Sequence, residues 1–599
     1  MSQLLKSSGA MSAATMLSRV LGLGREMAYA AFMGAGWVAD AFTLAFMVPN
    51  LFRRLLGEGA LTAAFIPIFK GKERTEGDKA MWHAASAVVS GLTLGTVGLV
   101  LTGMLVVSAI LLIDLPGPAA IRTGLALGEW IPWMAGLSLA AMLALANRRG
   151  AQPMGLGRTG LIWSAGAGSV LLGLGLLAIW LSVFKEAGGG KMLLMLRLLR
   201  VMFPYLVLVC IAAIFMGMLN SRGHFFVPAM GATMLNVVMI SSVLVILHVP
   251  PMKDWPLERQ IFGLAVGVVV AGFAQAAFQY PLLRRDGFQY QWINPWGEPT
   301  VKRVVQQMIP GAVGVAAFQI NVLVTQGMAF GVDAGLVAAF TYAVRLMEFP
   351  QGIFGISLAT YLLPTLSGLA AEKKYPEFRQ TLRHGVGWLV FANLLACVLL
   401  LTLAEPMIRL LFERGKFDAA STLRSSHALA ALAPGLVAFS VVNVLARAFY
   451  ALGDTRTPMR ISVFCLLLNV LVSAALMFPF REAGLGAANT VTSLVNVSLL
   501  FYALRRKLKT LEMAALARQV PALMAAAVVA GVVAWGLARM WTLRLGHGSL
   551  VLKLGEVFLP IAGASAVYCA LNLWLKTGFV EEVVRVIRER LPRAPGTRG

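Results

Sequence analysis

Charged residues are scarce in this chain: Asp, Glu, Lys and Arg make up only 13% of its 599 residues, and hydrophobic residues make up 58%. So little charge cannot cover the surface of a water-soluble protein of this size, which excludes that class. Apolar runs of about 20 residues, the length that crosses a bilayer as a helix, recur along nearly the whole sequence. We therefore predict an all-α polytopic membrane protein with about 16 spans.

Cysteine and histidine are also rare. The four cysteines lie far apart inside apolar segments, which indicates neither a disulfide framework nor a metal site. The six histidines include no pair at the i, i+4 spacing of zinc hydrolases. The sequence therefore predicts no metal and no cofactor.

Basic residues give the chain a net charge of +24, but they are spread through short loops such as KGKERTEGDK (70–79) and LRRKLK (504–509). Placing the N-terminus in the cytoplasm puts about twice as many Lys and Arg on that side as on the other, as the positive-inside rule requires. The charge therefore predicts cytoplasmic N- and C-termini and does not indicate nucleic-acid binding.

An internal repeat divides the chain. AGWVADAFTLA (35–45) recurs as AGLVA-AFTYA (334–343), and each copy opens a helix that is expected to end near a proline, Pro67 or Pro364. Two further proline pairs share a spacing of 24 residues: Pro204 with Pro228, and Pro434 with Pro458. Matched landmarks in the same order predict a duplicated transporter domain, the alternative being chance similarity between apolar helices.

The first half of the repeat is longer than the second. The interval from Pro67 to Pro204 is 137 residues, whereas that from Pro364 to Pro434 is 70. The excess is about the length of two spans with their loops. We therefore predict an extra transmembrane hairpin at residues 126–184.

Ionisable residues cluster in the first two spans, where each would cost at least about 3 kcal/mol if it faced lipid. They are Arg19, Arg25, Glu26, Asp40, Arg53, Arg54 and Glu58. Spacing puts Arg54 and Glu58 on one helix face, and likewise Arg19 and Glu26. Pro49, just before Asn50, should kink the second span.

The second half of the repeat carries RLMEFP (345–350) at the matching place, with Arg345 and Glu348 on one helix face. Both charge sets should therefore face one central cavity. The set contains five arginines and no lysine, and a guanidinium matches phosphate oxygens bidentately and stays charged. The cavity thus suits a phosphate or pyrophosphate, with the four carboxylates holding the arginines when it is empty.

Several side chains also have a simpler interpretation. Arg53 and Arg54 could extend to a membrane interface, the three glutamates could be purely structural partners, and Arg447 is better explained as an interfacial anchor.

The runs SRVLGLGRE, DAFTLAFMVPNLFRRLLGEGAL and YAVRLMEFPQGIFGISLATYLLP strongly resemble the MurJ (MviN) family of bacterial lipid II flippases, within the multidrug/oligosaccharidyl-lipid/polysaccharide exporter superfamily. The resemblance implies two pseudo-symmetric six-helix lobes (1–290 and 291–510), two C-terminal helices (511–576) and a cytoplasmic tail (577–599). It also implies alternating access in the bacterial inner membrane. The excess at 126–184 departs from the fourteen spans usual in the family.

Residue roles follow from the same resemblance. The essential cavity arginines of the family correspond to Arg19, Arg25, Arg53 and Arg345, and further functional positions correspond to Asp40, Arg54, Glu58 and Glu348, with Asn50 in the same motif and Glu26 as a supporting charge. Some relatives hold sodium in the second lobe, but Asn321, Thr325 and Asn469 are too loose a set to assign a site here. The implied partners are lipid II, membrane lipids and cell-wall synthesis proteins, and the driving force is the membrane potential or an unidentified coupling ion.

The same residues also bear on other functions. The runner-up within transport is an exporter of another polyprenyl-pyrophosphate-linked oligosaccharide or of a drug-like cation. A cation exporter would need a cavity dominated by carboxylates, which the five arginines oppose. A membrane enzyme acting on polyprenyl phosphates would need an acidic metal-binding cluster or a catalytic histidine, and neither pattern is present. We therefore expect a transporter and not an enzyme.

Overall fold

The computed structural model describes residues 2–54, 60–114, 190–582 and 585, and within these ranges all regular secondary structure is helical. The predicted hairpin at 126–184 and most of the predicted tail lie outside the described residues. In chain order the helices are α1 (Ser2–Met33), α2 (Trp37–Phe52), α3 (Ala60–Asp114), α4 (Lys191–Met202), α5 (Tyr205–Ser221), α6 (Phe226–His248), α7 (Leu257–Arg285), α8 (Pro299–Val332), α9 (Leu336–Pro350), α10 (Ser357–Ala371), α11 (Tyr375–Thr402), α12 (Ala404–Phe412), α13 (Ala419–Leu432), α14 (Leu436–Ala451), α15 (Arg456–Leu508), α16 (Ala514–Arg544) and α17 (Leu550–Trp574).

Many of these helices are long enough to cross a membrane. The described residues contain nine sufficiently apolar helical segments, or ten if α4 and α5, which are bent by 43°, count as one span. The α15 helix has 53 residues and leaves helical geometry at Arg481, where φ is 49°. Because 53 residues of helix extend about 80 Å, more than twice the hydrocarbon thickness, α15 is long enough for two spans. The prediction of an all-α polytopic protein is confirmed, and the count of about 16 spans stays a prediction.

The described residues form two compact units. The first unit consists of the described residues up to Phe32 and from Trp37 to Leu323. The second unit consists of Met33–Gly36 and the described residues from Val324 onward. The division therefore falls inside α8. The domain limits expected at residues 290, 510 and 576 stay predictions.

The two proline pairs of the repeat occupy matching places. Pro204 directly precedes α5 and Pro434 lies in the 3₁₀ turn directly before α14, so each separates a short helix from the next one. Pro228 and Pro458 are each the third residue of the following helix, α6 or α15. Proline is tolerated in a first turn because the N–H that it lacks would have no intrahelical partner there.

The expectation that helices end near Pro67 and Pro364 is wrong in detail. Both prolines lie inside helices, since α3 continues past Pro67 to a break at Gly77, where φ is 82°, and α10 continues to Ala371. An interior proline removes a single hydrogen bond, which a bend in the helix absorbs without ending it.

The last two helices are held in the second unit by a buried charge network. Arg409 of α12 donates a 2.9 Å hydrogen bond to Glu556 of α17, whose side chain is only 1% exposed, and Thr542 of α16 donates to the same oxygen at 2.9 Å. Lys553 forms an ion pair of 3.5 Å with Glu413, which directly follows α12. Pairing of this kind is required for buried charges, so these contacts fix α16 and α17 against α12.

Candidate functional site

Arg25 is held from two sides in the first unit. Its Nη1 donates to Oδ1 of Asn236 on α6 at 3.0 Å, and its Nη2 donates to Oε1 of the buried Glu26 at 2.5 Å. The guanidinium carbon also lies 5.6 Å from the ring centroid of Tyr29. Asn236 in turn donates to the carbonyl of Ser18 at 3.1 Å. A planar guanidinium held in this way presents its charge in one fixed orientation.

Arg19 lies about two turns before Arg25 on α1. Its side chain is exposed and makes no hydrogen bond or ion pair with the described part of the chain. The shared helix face predicts a contact between Arg19 and Glu26, but in the structure Glu26 binds the adjacent Arg25.

Asp40 is completely buried in the first turn of α2, with 0% exposure. Its Oδ2 forms an ion pair of 3.0 Å with Nζ of Lys191, the first residue of α4, which packs along α2. A carboxylate in a first turn is also stabilised by the helix dipole. Asp40 thus binds a lysine that the sequence motifs did not indicate, and its expected contact with an arginine stays a prediction. Lys191 follows three consecutive glycines, and a glycine run indicates a loop, not the partner of a buried carboxylate.

The second span changes geometry after Pro49. Pro49 lies inside α2, which ends at Phe52, and the backbone then widens into a π turn at Arg53 and Arg54. The kink expected at Pro49 stays a prediction. Nε of Arg53 donates to Oδ1 of Asn50, one turn earlier, at 2.8 Å. Arg53 and Arg54 are both half-buried. Glu58 lies outside the described residues, so its pairing with Arg54 stays a prediction.

Arg345 belongs to the second unit. Its Nη1 forms an ion pair of 2.8 Å with Glu348, as their spacing predicts; Arg345 is half-buried and Glu348 is exposed. A π-helical segment, Gln351–Ile356, follows Pro350, so the same irregularity follows a proline in both halves of the repeat. The meeting of Arg345 with the arginines of the first unit at one cavity stays a prediction.

The α4 helix brings further basic residues into the interior of the first unit. Arg200 is fully buried, and Arg197 is buried with its guanidinium carbon 5.7 Å from the ring centroid of Phe262. In sequence the two arginines stand three apart, which places them on one helix face. The sequence does not indicate their burial, because basic residues just before an apolar run usually mark the end of a span at the membrane surface.

The loose sodium candidates are all buried. Asn469 donates to the hydroxyl of Thr492 at 3.4 Å, and Asn321 and Thr325 fall on opposite sides of the division between the units. Within the described ranges, no group of three or more His, Cys, Asp or Glu side chains could hold a metal ion.

Comparison with known proteins gives one consistent family. The model of the family "Lipid II flippase MurJ" matches residues 29–128 and 159–555. The "Probable lipid II flippase MurJ" of Vibrio cholerae is 31% identical over 584 residues, which cover 96% of this chain and 97% of that protein. The "Lipid II flippase MurJ" of Burkholderia cenocepacia is 29% identical over 501 residues, 82% of each chain. A solved structure of "Lipid II flippase MurJ, inward closed conformation" superimposes with a TM-score of 0.65 at 18% identity, covering 94% of this chain and 99% of its own, which shows the likeness of the fold.

Proposed function

Because the chain belongs to the MurJ family of lipid II flippases, we propose that it transfers lipid II from the cytoplasmic to the periplasmic leaflet of the bacterial inner membrane. The family that the sequence motifs predicted is confirmed, and it is a family of transporters, not of enzymes. The observation that carries the proposal is the family match along most of the chain, including every described site residue from Tyr29 onward.

The proposed architecture is two six-helix lobes followed by the helix pair α16 and α17, with a hairpin at 126–184 that brings the total to about 16 spans. Matching positions of the repeat prolines support the two lobes. The asymmetry of Lys and Arg between alternate loops supports cytoplasmic N- and C-termini. Membrane lipids surround the protein in this scheme, and proteins of cell-wall synthesis are its expected partners.

The proposed binding step uses the arginines for the pyrophosphate of lipid II. Arg25 and Arg53 each donate to an asparagine amide, and Arg25 also binds Glu26. A pyrophosphate carries more negative charge than one carboxylate and offers several acceptor oxygens, so it can replace Glu26 without leaving the guanidinium unsatisfied. The polyprenyl chain stays in lipid while rocking of the lobes exposes the head group on the other side.

The driving force in this scheme is the membrane potential or a coupling ion. A potential of 100 mV acts on each elementary charge with about 2.3 kcal/mol, which is enough to bias the reorientation of a charged cavity. The same arginines would also accept another polyprenyl-pyrophosphate-linked oligosaccharide, so the identity of the head group is part of the test.

The test is complementation in a bacterium depleted of its own flippase, with externally accessible lipid II as the readout. We expect the wild-type chain to restore growth and accessible lipid II, and Arg345→Ala to restore neither while accumulating in the membrane at a normal level. Arg447→Ala is the matched control, because this arginine of the same unit lies near Tyr450, with its guanidinium carbon 6.0 Å from the ring centroid. Normal growth with Arg345→Ala would count against the assigned arginines. Failure of the wild-type chain, present in the membrane at a normal level, to restore accessible lipid II would favour the other oligosaccharide.

A further inference from the structure

The segment 287–303 connects α7 to the first turn of α8, and we call it the strap. It starts at Gly287, whose φ of 98° turns the chain sharply after α7, and it has only a single 3₁₀ turn, Pro295–Gly297, before α8 begins. The whole strap belongs to the first unit.

One side of the strap is packed firmly on α3. Phe288 is fully buried, and the hydroxyls of Tyr290 and Ser90 are 3.1 Å apart, within hydrogen-bond distance. Further along, a Cβ added to Gly91 would lie 3.2 Å from Pro295, so the backbone of α3 and the strap are in close contact there. The strap therefore has a fixed position beside α3.

The contact with α3 sets the depth of the strap. No Asp, Glu, Lys or Arg occurs between Lys79 and Asp114 of α3, and counted back from Asp114, residues 92–113 extend about 33 Å as a helix, which matches the hydrocarbon thickness of a bilayer. Gly91 directly precedes this stretch, so the residues that touch it lie where α3 enters the hydrocarbon. These are Pro295 and Val301, the latter 3.1 Å from the added Cβ. The end of the strap is thus at the level of lipid head groups.

The other side of the strap carries two tryptophans and two cations. Trp296 is 87% exposed and Trp292 is 47% exposed within the protein alone. Lys302 and Arg303, on the first turn of α8, are also exposed. Indole rings favour the bilayer interface because their apolar faces and their N–H group are both satisfied there. Adjacent cations complement the phosphates of anionic lipids.

We propose that the strap is a docking surface for anionic phospholipid, with Trp292 and Trp296 inserted among the head groups and Lys302 and Arg303 at their phosphates. The lipid belongs to the leaflet on the side of the basic loops, because exposed Arg284 and Arg285 end α7 just before the strap. This surface is separate from the pyrophosphate-binding arginines and anchors the connection between the two halves of the repeat at a fixed depth.

The test uses the full chain in nanodiscs, with a photoreactive residue at the exposed position, Trp296→p-benzoylphenylalanine. The matched control is Glu76→p-benzoylphenylalanine, because the Glu76 side chain is 51% exposed in the charged part of α3, next to the helix break at Gly77. We expect phospholipid adducts by mass spectrometry at position 296 and not at position 76. In discs with equal phosphatidylglycerol and phosphatidylcholine, the adducts at 296 should be mainly phosphatidylglycerol, and the pair Lys302→Gln and Arg303→Gln should reduce this excess roughly fivefold or more.

Three results would overturn the proposal: as few lipid adducts at 296 as at 76, equal adducts from the two lipids, or an unchanged excess in the glutamine variant. Thermal unfolding of each variant verifies that the fold is retained, and Trp292→p-benzoylphenylalanine provides a second position if the first one perturbs it. Since no step of the test measures transport, its failure would leave the proposed flippase function untouched.

Discussion

Loss of the Lys191 charge should destabilise the first unit strongly. Lys191→Met leaves Asp40, which is 0% exposed, without its ammonium partner at 3.0 Å. At this distance, with an effective dielectric constant of about 20, the Coulomb attraction is about 5 kcal/mol. Removing one partner of a buried pair typically costs about 3–5 kcal/mol, because the remaining charge stays buried.

The expected loss lies near the lower end of that range. The Lys191 side chain keeps 20% exposure, and both side chains make other interactions as well. We therefore expect a loss of about 3 kcal/mol, or roughly a hundredfold in the unfolding equilibrium constant. Lys191→Arg keeps the charge and should lose much less. In Asp40→Asn with Lys191→Met the buried charge is gone, so the double variant should be more stable than Lys191→Met alone.

The assay is thermal unfolding of the purified protein in one detergent, with retention of a fluorescent fusion in the soluble fraction as the signal. Lys253→Met is the matched control, because this lysine is exposed in the turn between α6 and α7. A surface substitution of this kind should change stability by less than about 0.5 kcal/mol. The reasoning is refuted if Lys191→Met unfolds at the same temperature as Lys253→Met, or if the double variant is less stable than the single one.

Two further predictions concern the second unit. Gly335→Ala should lower the unfolding temperature far more than Gly453→Ala. Both glycines have positive φ, but only at Gly335 would the added Cβ meet another residue, 2.1 Å from the carbonyl oxygen of Ala35. Equal shifts of the unfolding temperature in the two variants would contradict this close approach. In the turn before α15, the ammonium of Lys507 at 2.6 Å and a backbone N–H lower the pKa of Asp454 to about 2, from an ordinary value near 4. The stability that this carboxylate contributes is therefore complete above about pH 4 and is lost as pH falls toward 2. The unfolding temperatures of wild type and Asp454→Asn should converge between these two pH values. A constant difference between the two temperatures would exclude the ion pair as the cause.

Local features of this protein were predictable from sequence. Arg345 and Glu348 stand three residues apart on one helix, so their contact follows from helical geometry. The proline pairs of the repeat likewise mark helix boundaries, because their constraint acts within one turn.

Contacts between distant segments could not be predicted in the same way. Asn236 is separated from Arg25 by 211 residues, and Lys191 lies far along the chain from Asp40. In a membrane protein the lipid-facing and the packed sides of a helix are both apolar, so the hydrophobic pattern of α6 does not indicate that its Asn236 faces α1. The fold class and the nearby ion pairs were therefore accessible from sequence, whereas the partners of Arg25 and Asp40 required the arrangement of the helices.

The buried charge network that holds the last two helices has an evolutionary consequence. It consists of Arg409, Glu413, Lys553 and Glu556. Arg409 also pairs with Glu405 and Glu413 of its own segment, whereas the buried Glu556 of α17 has Arg409 as its cationic partner among the described residues. Acquisition of the terminal pair would therefore have depended on Arg409 being present on α12, whereas loss of the pair would leave Arg409 with two carboxylates. Chimeras that exchange only α16 and α17 between relatives should accordingly assemble only when donor and recipient agree in these four charges.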